Sequence, residues 1–172
     1  MICSGIAVGA DYADVVIVDA EPGKEAMTLV TSRRVQLQEG DRAQAFRALG
    51  DQVANILRES KVAEVFIKKS AAGQHVKLSH LEAAEVRGLV LYVASGVSQV
   101  TSINPTVLSK TFGDRKPKEY LKDEGYWNDR NLKNLEKRYR EPCLLIIANQ
   151  ESSNRLNGRG ESLGLAQTLS SA

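Results

Sequence analysis

The sequence predicts an α/β domain built on a mixed five-stranded sheet, three antiparallel strands followed by two parallel ones, with helices on both sides. Three observations predict it. Residues 2–9, 13–20 and 27–37 carry strand patterns joined by short turns, which an antiparallel meander requires. From residue 41 the apolar spacing changes to a helical period. Two further short strands, 64–68 and 97–103, are each reached through a helix, and right-handed crossovers set them parallel to the first.

In the first strand Ile2, Ser4, Ile6 and Val8 point one way while Cys3, Gly5, Ala7 and Gly9 point the other. One face is bulky and the other nearly bare, with no charge on it. The second strand holds a β-branched run, Val15 to Val18, expected at a central position buried on both faces. Glu21-Pro22-Gly23-Lys24 is a turn by composition. The third strand carries Arg33 and Arg34, as an edge strand tolerates.

Phe46, Leu49, Val53, Ile56 and Leu57 set a helix from about Asp41, its N-cap, to Ser60. After the fourth strand, a loop over 70–76 leads to a second helix from Ser79 to Ser95, stopped by Gly96. Ser79 and Glu82 have the spacing of a capping box. Asn104-Pro105-Thr106 opens a short helix holding Val107 and Leu108. Beyond Gly113 the chain is polar and less regular. Helix is expected to return near 131–140, to be interrupted by Pro142, and to restart there through Ala148. Residues 1–150 read as one domain and 151–172, rich in Ser, Gly and Asn, as a flexible tail that orders on a partner if at all.

Composition narrows the function classes. Net charge is only +2, yet 110–140 holds ten Lys/Arg against six Asp/Glu, so the positive excess is concentrated there. Cys3 and Cys143 stand on separate apolar segments, which suits buried thiols in a reducing compartment. His75 and His80 are the only histidines, so a multi-histidine metal centre is excluded. No apolar run reaches membrane length, and a cytoplasmic protein without membrane partners is expected. P-loop, GxGxxG and GxSxG patterns are absent.

The order of elements, together with GIAVGADYADVVIVD, EVFIKK, HVKLSHLEAAEVRGLVLYVA and SINPTVLSKTFG, resembles the ribonuclease H-like superfamily in its RuvC-type branch of Holliday-junction resolvases. An uncharacterised family of small RuvC-like bacterial proteins resembles the Lys-Leu-(x-x)-Leu-Glu-Ala-Ala helix and the Pro-Thr segment more closely. The resemblance covers residues 2–150 and implies an RNase H-like fold and nucleic-acid chemistry. In that superfamily, carboxylates on adjacent strands and a C-terminal helix hold one or two Mg²⁺. Here the first-strand Asp is matched by Ala7 and the fourth-strand Glu by Lys68. On the last helix Glu141 stands near an acidic position, but Lys137-Arg138 occupies its upstream partner's place.

These departures imply a pseudo-nuclease, a non-catalytic module that takes no metal cofactor and binds DNA, RNA or a protein partner. Its nucleic-acid candidates are Lys68, Lys69, Lys110, Arg115, Lys116 and Lys118, with Tyr126 and Trp127 as stacking platforms, the competing and favoured reading being that these two anchor a long loop. One alternative is a divergent Mg²⁺ or Mn²⁺ nuclease using Asp11, Glu85 and Glu141, with Asp11 otherwise a turn residue and Glu85 a partner for Lys68 or Arg87. Another is a homodimer or assembly protein joined through the helix from Ser79 to Ser95, whose Ala83, Ala84 and Gly88 permit close packing. Asp14 and Asp19 read as edge or solvent residues.

Overall fold

The computed structural model of the chain describes residues 1–21, 23–70, 77–112 and 115–151. Strands β1 (Ile2–Val8), β2 (Tyr12–Ala20), β3 (Met27–Gln36), β4 (Glu64–Lys68) and β5 (Gln99–Ile103) form one sheet in the order β3-β2-β1-β4-β5. The β1–β2 and β2–β3 pairs are antiparallel, and β1–β4 and β4–β5 are parallel, as the sequence predicts. Val15 to Val18 are fully buried in β2, and β3 is an edge strand. The turn before β3 closes through the Glu21 carbonyl, which accepts from the Lys24 N–H at 3.2 Å, and Gly23 adopts φ +80°.

Helix α1 (Arg42–Glu59) starts on Asp41, whose carboxylate accepts from the Gln44 N–H at 2.8 Å. Helix α2 (Leu78–Ser95) departs from expectation at its start. The chain turns helical at Leu78, so Lys77 is the N-cap, Ser79 lies inside the first turn, and the Ser79–Glu82 box does not form. His80 serves there instead, its Nδ1 accepting from the Lys77 N–H at 3.4 Å. Gly96 caps the C-terminus. Helix α3 (Pro105–Phe112) opens on Asn104, whose side chain accepts from the Thr106 N–H at 2.9 Å. The loop over 71–76 with His75, and the tail over 152–172, lie outside the described residues.

The polar stretch read as irregular contains two short helices, α4 (Pro117–Tyr120) and α5 (Glu124–Asp129). A larger correction follows. The helix expected over 131–140 begins only at residue 137: Asn131 adopts φ +61°, and the chain stays non-helical to residue 136. One continuous helix, α6, then runs over 137–151 straight through Pro142. Proline in a helix interior forfeits one backbone bond and costs about 3 kcal/mol. Burial of Cys143 through Ala148 against the sheet offsets that cost, at roughly 1.5–3 kcal/mol for each large apolar side chain.

Two apolar layers sandwich the sheet. Ile6, Val15, Ile17, Val65 and Ile67 meet α1 and α2 on one face. Cys3, Val16, Val18 and Phe66 meet α6 and the α3–α5 segment on the other. The bare face of β1 is the seat of α6. A Cβ built on Gly5 would stand 1.9 Å from the Pro142 carbonyl oxygen, so only glycine allows this approach.

Candidate functional site

Register brings one row of side chains across the α6 face of the sheet. Ala7 pairs with Asp14, and Asp14 with Arg34. On the other side Ile6 pairs with Ile67, which brings Lys68 beside Ala7, and Lys68 pairs with Ile103. The row therefore reads Arg34, Asp14, Ala7, Lys68, and α6 contributes Glu141.

Its charges are matched in two pairs. Arg34 grips Asp14 with both arms, Nε to Oδ1 at 2.7 Å and Nη2 to Oδ2 at 2.6 Å. Asp14 is only 2% exposed, so this fork supplies the compensation that a buried carboxylate needs. The bond to Asp14 also holds the Arg34 guanidinium above its ordinary pKa, and its Cζ lies 3.8 Å from the centroid of the Tyr12 ring. On the far side of Ala7, the Lys68 ammonium donates to Glu141 Oε1 at 2.7 Å, with both side chains partly exposed. An ion pair at such exposure contributes about 0.2–1 kcal/mol and opens readily.

A divalent cation requires several oxygen ligands at one point. At the centre of this row stand a methyl group and an ammonium, and the two carboxylates on either side are engaged by cations. The donor set does not fit Mg²⁺ or Mn²⁺. Among the described residues, no three His, Cys, Asp or Glu side chains are grouped to hold a metal.

The remaining candidates are dispersed. Asp11 sits in the β1–β2 turn, where its carboxylate accepts from the Gln36 amide at 2.7 Å. Glu85 is exposed on α2 and ion-paired with Arg42 of α1, rather than core-facing and paired with Lys68 or Arg87. Because α2 and α6 pack on opposite faces, the sheet separates Glu85 from Glu141, and the three acids are not brought together. Arg87 instead donates to the Ser70 hydroxyl.

Of the basic candidates, Lys69, Lys110, Lys116 and Lys118 are exposed, the last three on or beside α3 and α4. Arg115 is ion-paired with Asp123 at 2.7 Å and lies 4.2 Å over the Tyr120 ring. The two aromatic candidates both pack against the core on the α6 face. Trp127 is fully buried and its indole N–H donates to the Tyr120 carbonyl at 2.8 Å. Tyr126 packs edge-on against Trp127, beneath Arg130, and burial raises its phenol pKa. Both cysteines are buried, which pushes the Cys3 thiol up to about 11 and Cys143 to about 12.

The sequence reading missed Asp14 and Arg34. Opposite charges on neighbouring strands are a usable signal, but a register shift at Ile17/Val18 conceals this pair. Extending the Asp19–Thr28 register without that shift would set Asp14 against Arg33.

No family model matches the chain, and no curated protein matches it. Solved structures do. The Thermus thermophilus RuvC structure is similar with TM-score 0.72 at 13% identity, over 90% of this chain and 96% of that one. T. thermophilus RuvC in complex with a Holliday junction substrate gives 0.69 at 11%, over 90% and 96%. The yeast mitochondrial Holliday junction resolvase gives 0.62 at 10%, over 91% and 80%. Among the described residues no helix is long and apolar enough to cross a membrane. The strand order β3-β2-β1-β4-β5, with α6 laid on the bare face of β1, is thus a RuvC-like, ribonuclease H-like fold.

Proposed function

We propose that this chain is a non-catalytic RuvC-like module that binds nucleic acid without a resident metal. One observation carries the reading. At the centre of the sheet Ala7 stands between two ion pairs, Arg34–Asp14 and Lys68–Glu141, so the site offers a phosphate the Lys68 cation in place of a metal-bound water. Lys68 shares its charge with Glu141 in a partly exposed pair, and an approaching phosphodiester competes for the same ammonium.

Lys69 follows in sequence, and Lys110, Lys116 and Lys118 extend the exposed positive charge over the α3–α4 segment. A similar fold seen with its Holliday junction substrate supports nucleic acid over a protein partner. Backbone charge of this kind gives binding that weakens with salt.

Fluorescence anisotropy of the full chain with four-way, duplex and single-stranded DNA and with RNA, repeated over a salt series, tests this. Association should weaken as salt rises, and Lys69→Gln and Lys118→Gln should each flatten the salt slope by about one phosphate contact or less. No association at low salt would overturn the nucleic-acid reading and leave a protein partner. Parallel arms with Mg²⁺, Mn²⁺ and chelator test the metal-dependent alternative. Cleavage that requires the cation and is lost in Glu141→Gln would overturn the non-catalytic assignment.

A further inference from the structure

Among the described residues three arginines are largely withdrawn from solvent, Arg87, Arg130 and Arg140. Arg130 is paired with Glu151 and Arg140 with Glu124. Arg87, on α2, has no such carboxylate. Its one hydrogen-bond partner among the described residues is the Ser70 hydroxyl, which accepts from Nη1. Its Nε is sealed off with no acceptor. Burial holds the guanidinium below its ordinary pKa, and no neighbouring acid offsets the effect. A cation withdrawn from water without a counter-charge costs stability, and such costs persist where the group has another use.

Its position indicates the use. Ser70 lies two residues beyond Lys68, the last residue of β4. The Lys69 N–H continues the ladder to the Ile103 carbonyl at 2.8 Å, so the Lys69 side chain falls on the α2 side of the sheet, with Ile67. Arg87 therefore reaches the rim of the strands from the face opposite Glu141. Because the Ser70 oxygen accepts from Arg87, its own proton remains to be donated outward.

We infer that Arg87 and Ser70 hold a phosphodiester of a bound nucleic-acid strand at the end of β4, on the α2 side of the row through Ala7 and Lys68. This assignment rests on the nucleic-acid reading and fixes where the strand's backbone crosses, from Lys68 on one face of the sheet to Arg87 on the other. Two donors await anionic oxygens there: the Nη2 group of Arg87, which no described residue engages, and the Ser70 hydroxyl. A phosphodiester takes both and supplies the counter-charge the fold leaves out. A single carboxylate from a protein partner would satisfy Arg87 but leave Lys68 and Lys69, within two residues of Ser70, unanswered. A strand with a phosphate at every nucleotide answers all three.

Anisotropy of the full chain with four-way, duplex and single-stranded DNA and with RNA, over a salt series, tests the assignment. Arg87→Met keeps the reach of the side chain and removes its charge. Binding should weaken about tenfold at low salt and the salt slope should fall by about one. Ser70→Ala should cost about threefold and leave the slope unchanged, since it removes a donor and no charge. Arg58→Met removes the same charge from the last turn of α1, beside the start of β4 at the opposite end of the sheet, and should change neither. The circular-dichroism melt of Arg87→Met should hold level or rise, because no ion pair is lost, whereas a purely structural arginine would lower it. Nucleic-acid binding that Arg87→Met leaves intact, or that Arg58→Met weakens as much, would overturn this assignment and leave the nucleic-acid reading standing. A wild type that binds none of the four would overturn both. Should Arg87→Met fail to fold, Ser70→Ala at its exposed position decides alone, and unchanged affinity there sinks the proposal.

Discussion

Gly5 shows how one missing Cβ sets the spacing between two elements. The Pro142 carbonyl occupies the volume a side chain would fill, so Gly5→Ala must push α6 off the sheet or bend β1. Overpacking of this kind costs about 3 kcal/mol, and urea unfolding monitored by tryptophan fluorescence should show a loss of that size. The small-residue alternation of β1 was plain in the sequence, but its reason was not. Nothing local says that a backbone from beyond residue 136 lands on it. Asp14 is the opposite case. Its partner Arg34 is visible as a charge, and only the shift at Ile17/Val18, a property of the paired strands, decides that the two face each other.

Among elements, the α3–α5 segment is held to α6 by polar contacts as well as by aromatic packing. Arg140 is almost wholly buried, donating to the Leu121 carbonyl at 2.9 Å and to both oxygens of Glu124 at 3.0 and 2.5 Å. The bond from Arg140 holds the Glu124 carboxyl below its ordinary value of 4.5, and Arg115 does the same for Asp123. A depressed acid binds its proton more weakly folded than unfolded. Its contribution to stability is present above the unfolded value and is lost as pH falls through the folded one. Lowering the pH from neutrality should leave stability at this joint unchanged until about pH 4.5 and then erode it. Melting temperatures should drop more steeply below that point for the wild type than for Glu124→Gln. Strands and long helices were legible because period and capping residues are local signals, as with Asp41 before α1. The course of α6 was not legible, because a local proline rule was outweighed by burial of 143–148 against a distant sheet.

At the scale of the whole molecule, the central row belongs to no single element. Strands β1, β2, β3 and β4 and helix α6 each contribute one side chain, and only their assembly makes Ala7 and Lys68 neighbours. If the row differs from a metal cage by those two residues, Ala7→Asp combined with Lys68→Glu should create one, with Glu141 released from its ammonium. Calorimetric titration should then show Mn²⁺ or Mg²⁺ bound by the double variant and not by the wild type. Heat of binding from the wild type alone would contradict the electrostatic description of this site. The contact between Gly5 and Pro142 also bears on how the chain reaches its native state. The first strand's bare side is roofed by the last helix of the described chain, so during synthesis the apolar groups around Cys3, Val16 and Phe66 emerge long before their cover. Over that interval the nascent chain depends on chaperones or on speed, and a ribosome stalled ahead of α6 leaves an aggregation-prone half-sandwich.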